Sequence, residues 1–170
     1  MPDTDRNHRA VPLTDAIIDS WRRDDGFVIS TDKARLDVAA VHGYLSACSY
    51  WAKGVPRAVV ERAIAGTPLV FGVYEESTGR QVGFARVITD RATMAYLSDV
   101  FIVPDYQGRG LGTWLIETIV AHPELRGLRR WLLATADAHG LYARFGFTPL
   151  AQPDRWMERH FPDVYDDGAT

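Results

Sequence analysis

The sequence predicts an α/β fold: a mixed, mostly antiparallel central sheet flanked by helices. Three observations carry that reading. Strand-like and helix-like periods alternate along a single chain of 170 residues. Two β-rich runs at 69–74 and 82–88 are joined by Ser77-Thr78-Gly79-Arg80, a hairpin signal. A glycine-rich turn at 108–112 leads from a strand straight into an apolar helix. The length suits one domain, which can bury a core without a metal or disulfide staple.

In chain order, residues 1–26 read as an N-terminal extension. There Pro2 and Pro12 flank a charged stretch, and Leu13, Ile17, Ile18 and Trp21 allow a short amphipathic helix. Residues 27–30 suit a strand, with Thr31 or Asp32 as a helix cap after it. The apolar spacing predicts a helix over 36–47, and Pro56 is placed to open a second one running to about 65. A strand over 96–103 should end at Pro104, which has no N–H for a ladder. Leu111, Leu115, Ile116, Ile119 and Val120 form one face of a helix over 111–121, stopped by Pro123. A strand at 130–135, a short helix at 138–145 capped by Gly146, and a strand pair at 148–150 and 155–158 complete the expectation. The main domain is thus expected over 27–160, with a tail at 161–170.

Composition excludes several classes. The net charge is −3 and no long basic run occurs, which argues against general nucleic-acid binding. No apolar run approaches the roughly 18 residues that span a bilayer. The one cysteine, Cys48, rules out an intramolecular disulfide and fits a reducing compartment. The polar N-terminus is unlike a targeting peptide. A cytoplasmic, soluble protein is expected. His42, His122 and His139 lack metal-site spacing, so no metal is expected.

The chemistry lies in residues 96–113. A strand there meets a turn containing Gly108, Gly110 and Gly112, and a helix follows at once. Helix-terminal N–H groups lack internal partners and sit at the positive end of the dipole, so such a unit receives phosphate-type anions. The spacing is neither that of the dinucleotide fingerprint nor that of the P-loop. A purely structural tight turn is the alternative.

Gln107-Gly108-Arg109-Gly110-Leu111-Gly112, preceded by Ile102-Val103-Pro104-Asp105-Tyr106, resembles the R/Q-x-x-G-x-G/A signature of the GNAT superfamily of acetyl-CoA-dependent N-acetyltransferases. Leu141-Tyr142-Ala143-Arg144-Phe145-Gly146-Phe147 is similar to the family's L-Y-x-x-x-G-F box. The resemblance covers roughly 27–160 and implies a splayed, V-shaped cleft for acetyl-CoA. It implies that the backbone of Gln107, Gly108, Arg109, Gly110, Leu111, Gly112 and Thr113 holds the pyrophosphate. The edge at Val100 and Ile102 would bind the pantetheine arm and the acetyl carbonyl. Tyr142 would be the general acid, although a core aromatic is the plain alternative. Thr135 stands where many members carry a cofactor-contacting Asn, and Tyr50 and Trp51 fall where the acceptor pocket is often lined.

Asp99, on the same strand, is a candidate base or ammonium ligand, and a structural hydrogen bond is equally open. Cys48 shows no sign of activation, which disfavours an acetyl-cysteine route. The reading is a sequential N-acetyltransferase for a primary amine of a small molecule or peptide, with a homodimer left open. Its alternative is a CoA-binding sensor without catalysis.

Overall fold

The computed structural model describes residues 18–165. Six strands make one sheet whose spatial order equals their chain order. They are β1 (Ser20–Arg23), β2 (Phe27–Ser30), β3 (Leu69–Glu75), β4 (Gln81–Thr89), β5 (Met94–Ile102) and β6 (Arg130–Leu132). Neighbours are antiparallel except β5 and β6, which run parallel. Parallel neighbours need a crossover, and α3 (Leu111–Ala121) supplies it. The helices α1 (Val38–Ala47) and α2 (Arg57–Gly66) connect β2 to β3, and α4 (His139–Ala143) follows β6.

The local chemistry explains the boundaries. The Asp37 carboxylate accepts from the Ala40 N–H at 2.9 Å, so α1 starts one residue after it rather than at 36. Asp32 caps only a single 3₁₀ turn, Lys33–Arg35. Each face of the sheet buries its own cluster. Val41, Leu45, Val60 and Ile64 of α1 and α2 pack with Val70, Phe84 and Phe101. On the other face, Leu111, Leu115, Ile116 and Ile119 of α3 pack with Phe71 and Ile29. Leu115, Ile116 and Ile119 have 0% exposure, and each such burial contributes about 1.5–3 kcal/mol. The start of α3, and with it the glycine turn, is therefore fixed to the core.

Three expectations change. The short helix proposed near the N-terminus falls partly outside the described residues, and within them Trp21 lies in strand β1, paired with Ile29 of β2. The strand expected at 130–135 ends at Leu132. No strand forms at 148–150 or 155–158, where a 3₁₀ turn, Pro153–Arg155, interrupts irregular chain. Pro149 and Pro153 cannot donate to a ladder, which disfavours pairing in that stretch.

The sheet also contains a position that tolerates no side chain. A Cβ on Gly72 would lie 2.3 Å from the Tyr74 hydroxyl oxygen, whose ring folds back across that glycine. Tyr74 is 1% exposed and carries the Arg35 guanidinium 3.9 Å from its ring centre, so it has nowhere to move. Gly72→Ala is expected to cost about 1–3 kcal/mol, the usual range for overpacking. A urea titration measures this, and an unchanged midpoint would contradict the packing argument.

Candidate active site

Pairing between β5 and β6 ends at Tyr96 with Leu132, yet β5 continues to Ile102. The two strands part there, and α4 with the loop before it forms the far wall of the resulting cleft. Two cavities adjoin inside it, of about 470 Å³ and about 140 Å³. Trp51, Val100, Asp137, Ala138 and Tyr142 line both. A third cavity of about 690 Å³ lies between β6 and the chain at 145–156 and shares no residue with that junction.

The larger cavity contains the glycine turn. Gly108 and Gly110 have φ of 75° and 74°, a region that side chains resist, and Gly110 is the residue preceding the first turn of α3. Gly112 differs. A Cβ there would meet only Ile102 Cγ1 at 3.8 Å and Leu141 Cδ2 at 4.0 Å, ordinary contacts. Packing does not demand glycine at 112, and its missing side chain keeps the mouth of the helix clear. Gln107 Nε2 donates to the Ile102 carbonyl at 2.9 Å, tying the turn to the end of β5. Leu111 is 1% exposed and anchors the first turn.

Arginines gather at this end, one of them, Arg23, paired with Asp25. The first turn of α3 has no acidic residue, and Arg144 Nη1 donates to Thr113 Oγ1 at 3.2 Å. Arg109 lies 4.9 Å over the Tyr106 ring, beside the turn. Cations at a helix N-terminus oppose its dipole unless an anion shares the site. These residues fit the pyrophosphate of acetyl-CoA, with backbone N–H groups and arginines as the donors.

The β5 edge is irregular where the cavities meet. Phe84 pairs with Phe101 and Arg86 with Ser98, so Asp99 and Val100 face the single residue Ala85. This bulge interrupts the ladder and re-aims its residues. Asp99 takes φ of 53°, uncommon outside glycine. Its carboxylate is engaged on both oxygens: one pairs with Arg86, and the other accepts from Trp51 Nε1 at 3.2 Å. The side chains of that ion pair are only 18% and 12% exposed.

Tyr142, on α4, is 8% exposed and packs edge-on against Phe147. Burial pushes its phenol up to about 12, and Tyr50 and Asp137 add to the shift. A raised phenol pKa favours the protonated form, so Tyr142 keeps its proton at neutral pH. Tyr50 Oη accepts from the Ala136 N–H at 2.7 Å, strapping the α1–α2 connection to the loop before α4. Thr135 lines the smaller cavity rather than the larger, and its hydroxyl accepts from the Ala138 N–H at 3.1 Å.

Two residues of the site, Arg23 and Asp137, lie outside the motifs legible in the sequence. Arg23 Nη2 donates to the Arg109 carbonyl at 3.0 Å, bracing the glycine turn from β1. The signal was present: Asp25-Gly26 before a β-rich run is a hairpin turn, and Gly26 indeed has φ of 85°. Asp137 had no local signal, because its placement depends on how the loop before α4 crosses the cleft. Among the described residues no group of three or more His, Cys, Asp or Glu is placed to hold a metal ion.

The sequence and fold match those of known acetyltransferases. A family model, "Acetyltransferase (GNAT) domain", matches residues 67–149. A crystal structure from Xanthomonas campestris pv. campestris, of a protein of the GNAT family with a provisional acetyltransferase name, is 52% identical and superposes with a TM-score of 0.78. That match covers 82% of this chain and 96% of the other. A Gibberella zeae protein with a provisional acetyltransferase name is 33% identical over 128 residues, 63% of this chain and 71% of its own. Glucosamine-6-phosphate N-acetyltransferase from Arabidopsis thaliana, at 14% identity and a TM-score of 0.55, shares the fold over 85% of this chain and 99% of its own. The chain belongs to the GNAT family and is an acyltransferase enzyme. GNAT domains use acetyl-CoA as cosubstrate.

Proposed function

We propose that this enzyme transfers an acetyl group from acetyl-CoA to a primary amine of a small molecule or peptide, with both substrates bound at once. The observation that carries the reading is the junction: Tyr142 and Val100 border a large cavity with the glycine turn and a small one without it. One compartment is for the donor and the other for the acceptor. A CoA sensor without catalysis has no use for the second.

Acetyl-CoA supplies an activated thioester, whose thiol leaves far more readily than an alkoxide. The backbone of residues 107–113 holds the pyrophosphate, and the opened edge at Val100 and Ile102 takes the pantetheine arm. Tyr142 donates its phenolic proton to the sulfur as the thiolate departs. The acceptor must shed a proton first. A lysine-like ammonium near 10.4 stands about three pK units above neutrality, roughly 4 kcal/mol, which water relay and desolvation offset. Cys48 is exposed and borders neither cavity, so no acetyl-cysteine step is included. The single free thiol fits a cytoplasmic setting.

Initial rates of thiol release across a panel of amines test this. Intersecting lines in double-reciprocal plots are the expected result. Parallel lines with an acetyl group recoverable on Cys48 would refute the ternary complex, and CoA binding without turnover on any amine would support the sensor.

A further inference from the structure

Asp99 and Asp137 are the acids that line the two cavities, and they are not equivalent. Asp99 is neutralised by Arg86 and bonded to Trp51. Asp90 is consumed by its own turn, accepting from Thr93 and from the backbone of Ala92 and Met94. Glu75 accepts from Tyr106 Oη and Thr78 Oγ1. Asp137 enters none of the ion pairs among the described residues. It lines both cavities beside Tyr142, and its charge is felt at the phenols of Tyr142 and Tyr44.

The smaller cavity has a definite chemical character. Among the described residues no Lys, Arg or His lines it, so once Asp99 is paired with Arg86 its net charge is that of Asp137. Tyr50, Trp51 and Tyr96 supply aromatic walls, with the first two rings packed edge-on at 4.9 Å. Aromatic faces beside a carboxylate attract cations. Its volume, about 140 Å³, holds on the order of four or five waters' worth of matter. The strap from Tyr50 to Ala136 limits the opening.

We propose that Asp137 anchors the acceptor's ammonium group at the junction, and that the small aromatic cavity selects short, cationic alkylamines. This rests on the acetyl-transfer reading above and adds the acceptor's charge and size to it. Asp137 receives the acceptor as an ammonium ion through a charge-assisted hydrogen bond, and that nitrogen passes its proton to water before its lone pair attacks the thioester carbonyl, whereas Asp99 holds the β5 bulge through Arg86.

The test compares wild type, Asp137→Asn and Asp137→Glu with two acceptors at pH 7: propylamine, which is cationic, and aniline, which is neutral. For propylamine, Asp137→Asn is expected to raise KM by about ten- to a hundred-fold, the loss of one hydrogen bond to a charged group. Because Asp137 also lines the donor cavity and acts on the Tyr142 phenol, the readout is the difference between the amines: KM for propylamine should rise at least about ten-fold more than KM for aniline, and Asp137→Glu should restore part of the propylamine affinity. Asp137 is exposed, so the variants are expected to fold, and their melting curves establish this. Equal losses for both amines, or none for either, would overturn the anchor while leaving acetyl transfer intact. Wild-type enzyme that binds CoA yet acetylates no amine would overturn the parent reading and this one together.

Discussion

Tyr142→Phe is expected to lower kcat by about 10²–10⁴-fold, the usual contribution of a positioned general acid. The substitution removes one oxygen and retains the ring that packs against Phe147, so folding and acetyl-CoA affinity should be nearly unchanged. The loss should fall on kcat rather than on KM for acetyl-CoA, because the contact to sulfur strengthens only as the thiolate forms. Since burial holds the phenol protonated up to about 12, Tyr142 should contribute no basic limb to the pH–rate profile between 6 and 9. A variant with near-full kcat would make Tyr142 a packing aromatic and leave water to protonate the thiolate.

Gly112→Leu is expected to weaken CoA binding by at least about ten-fold, since several backbone bonds to a charged group are worth about 1.5–3 kcal/mol each. Gly112 is the cleaner choice over Gly110, whose φ of 74° would add backbone strain to any substitution. At Gly112 the Cβ falls in ordinary contact with Ile102 and Leu141, which line the larger cavity with it. Calorimetric titration with CoA and a thermal melt together check this. Unchanged affinity would remove the phosphate from the glycine turn. A collapsed melting temperature would show that Gly112 serves packing instead.

Both variants lie in motifs that were legible in the sequence. The glycine turn, the apolar face of α3 and the box around Tyr142 are local patterns, and the structure builds each of them within a few residues of its expected bounds. Locality is why: a helix period, a turn glycine and a breaking proline act within one or two turns of chain. The hairpin between β3 and β4 belongs with them.

Other features depend on partners far away in the chain. β1 is a four-residue stretch, SWRR, with no strand period of its own, and it becomes a strand by pairing with β2. The bulge in β5 arises from the register with β4, and only that register brings Asp99 to Arg86. Tyr50 meets Ala136 across 86 positions, and Arg23 meets Arg109 across the same separation. The sequence by itself therefore determined the α/β class, the glycine turn at the start of α3 and the place of Tyr142 on a short helix, because each is encoded by neighbours. Which carboxylate is paired and which is left at the junction was decided by the tertiary structure, because a charge finds its partner through space and not along the chain.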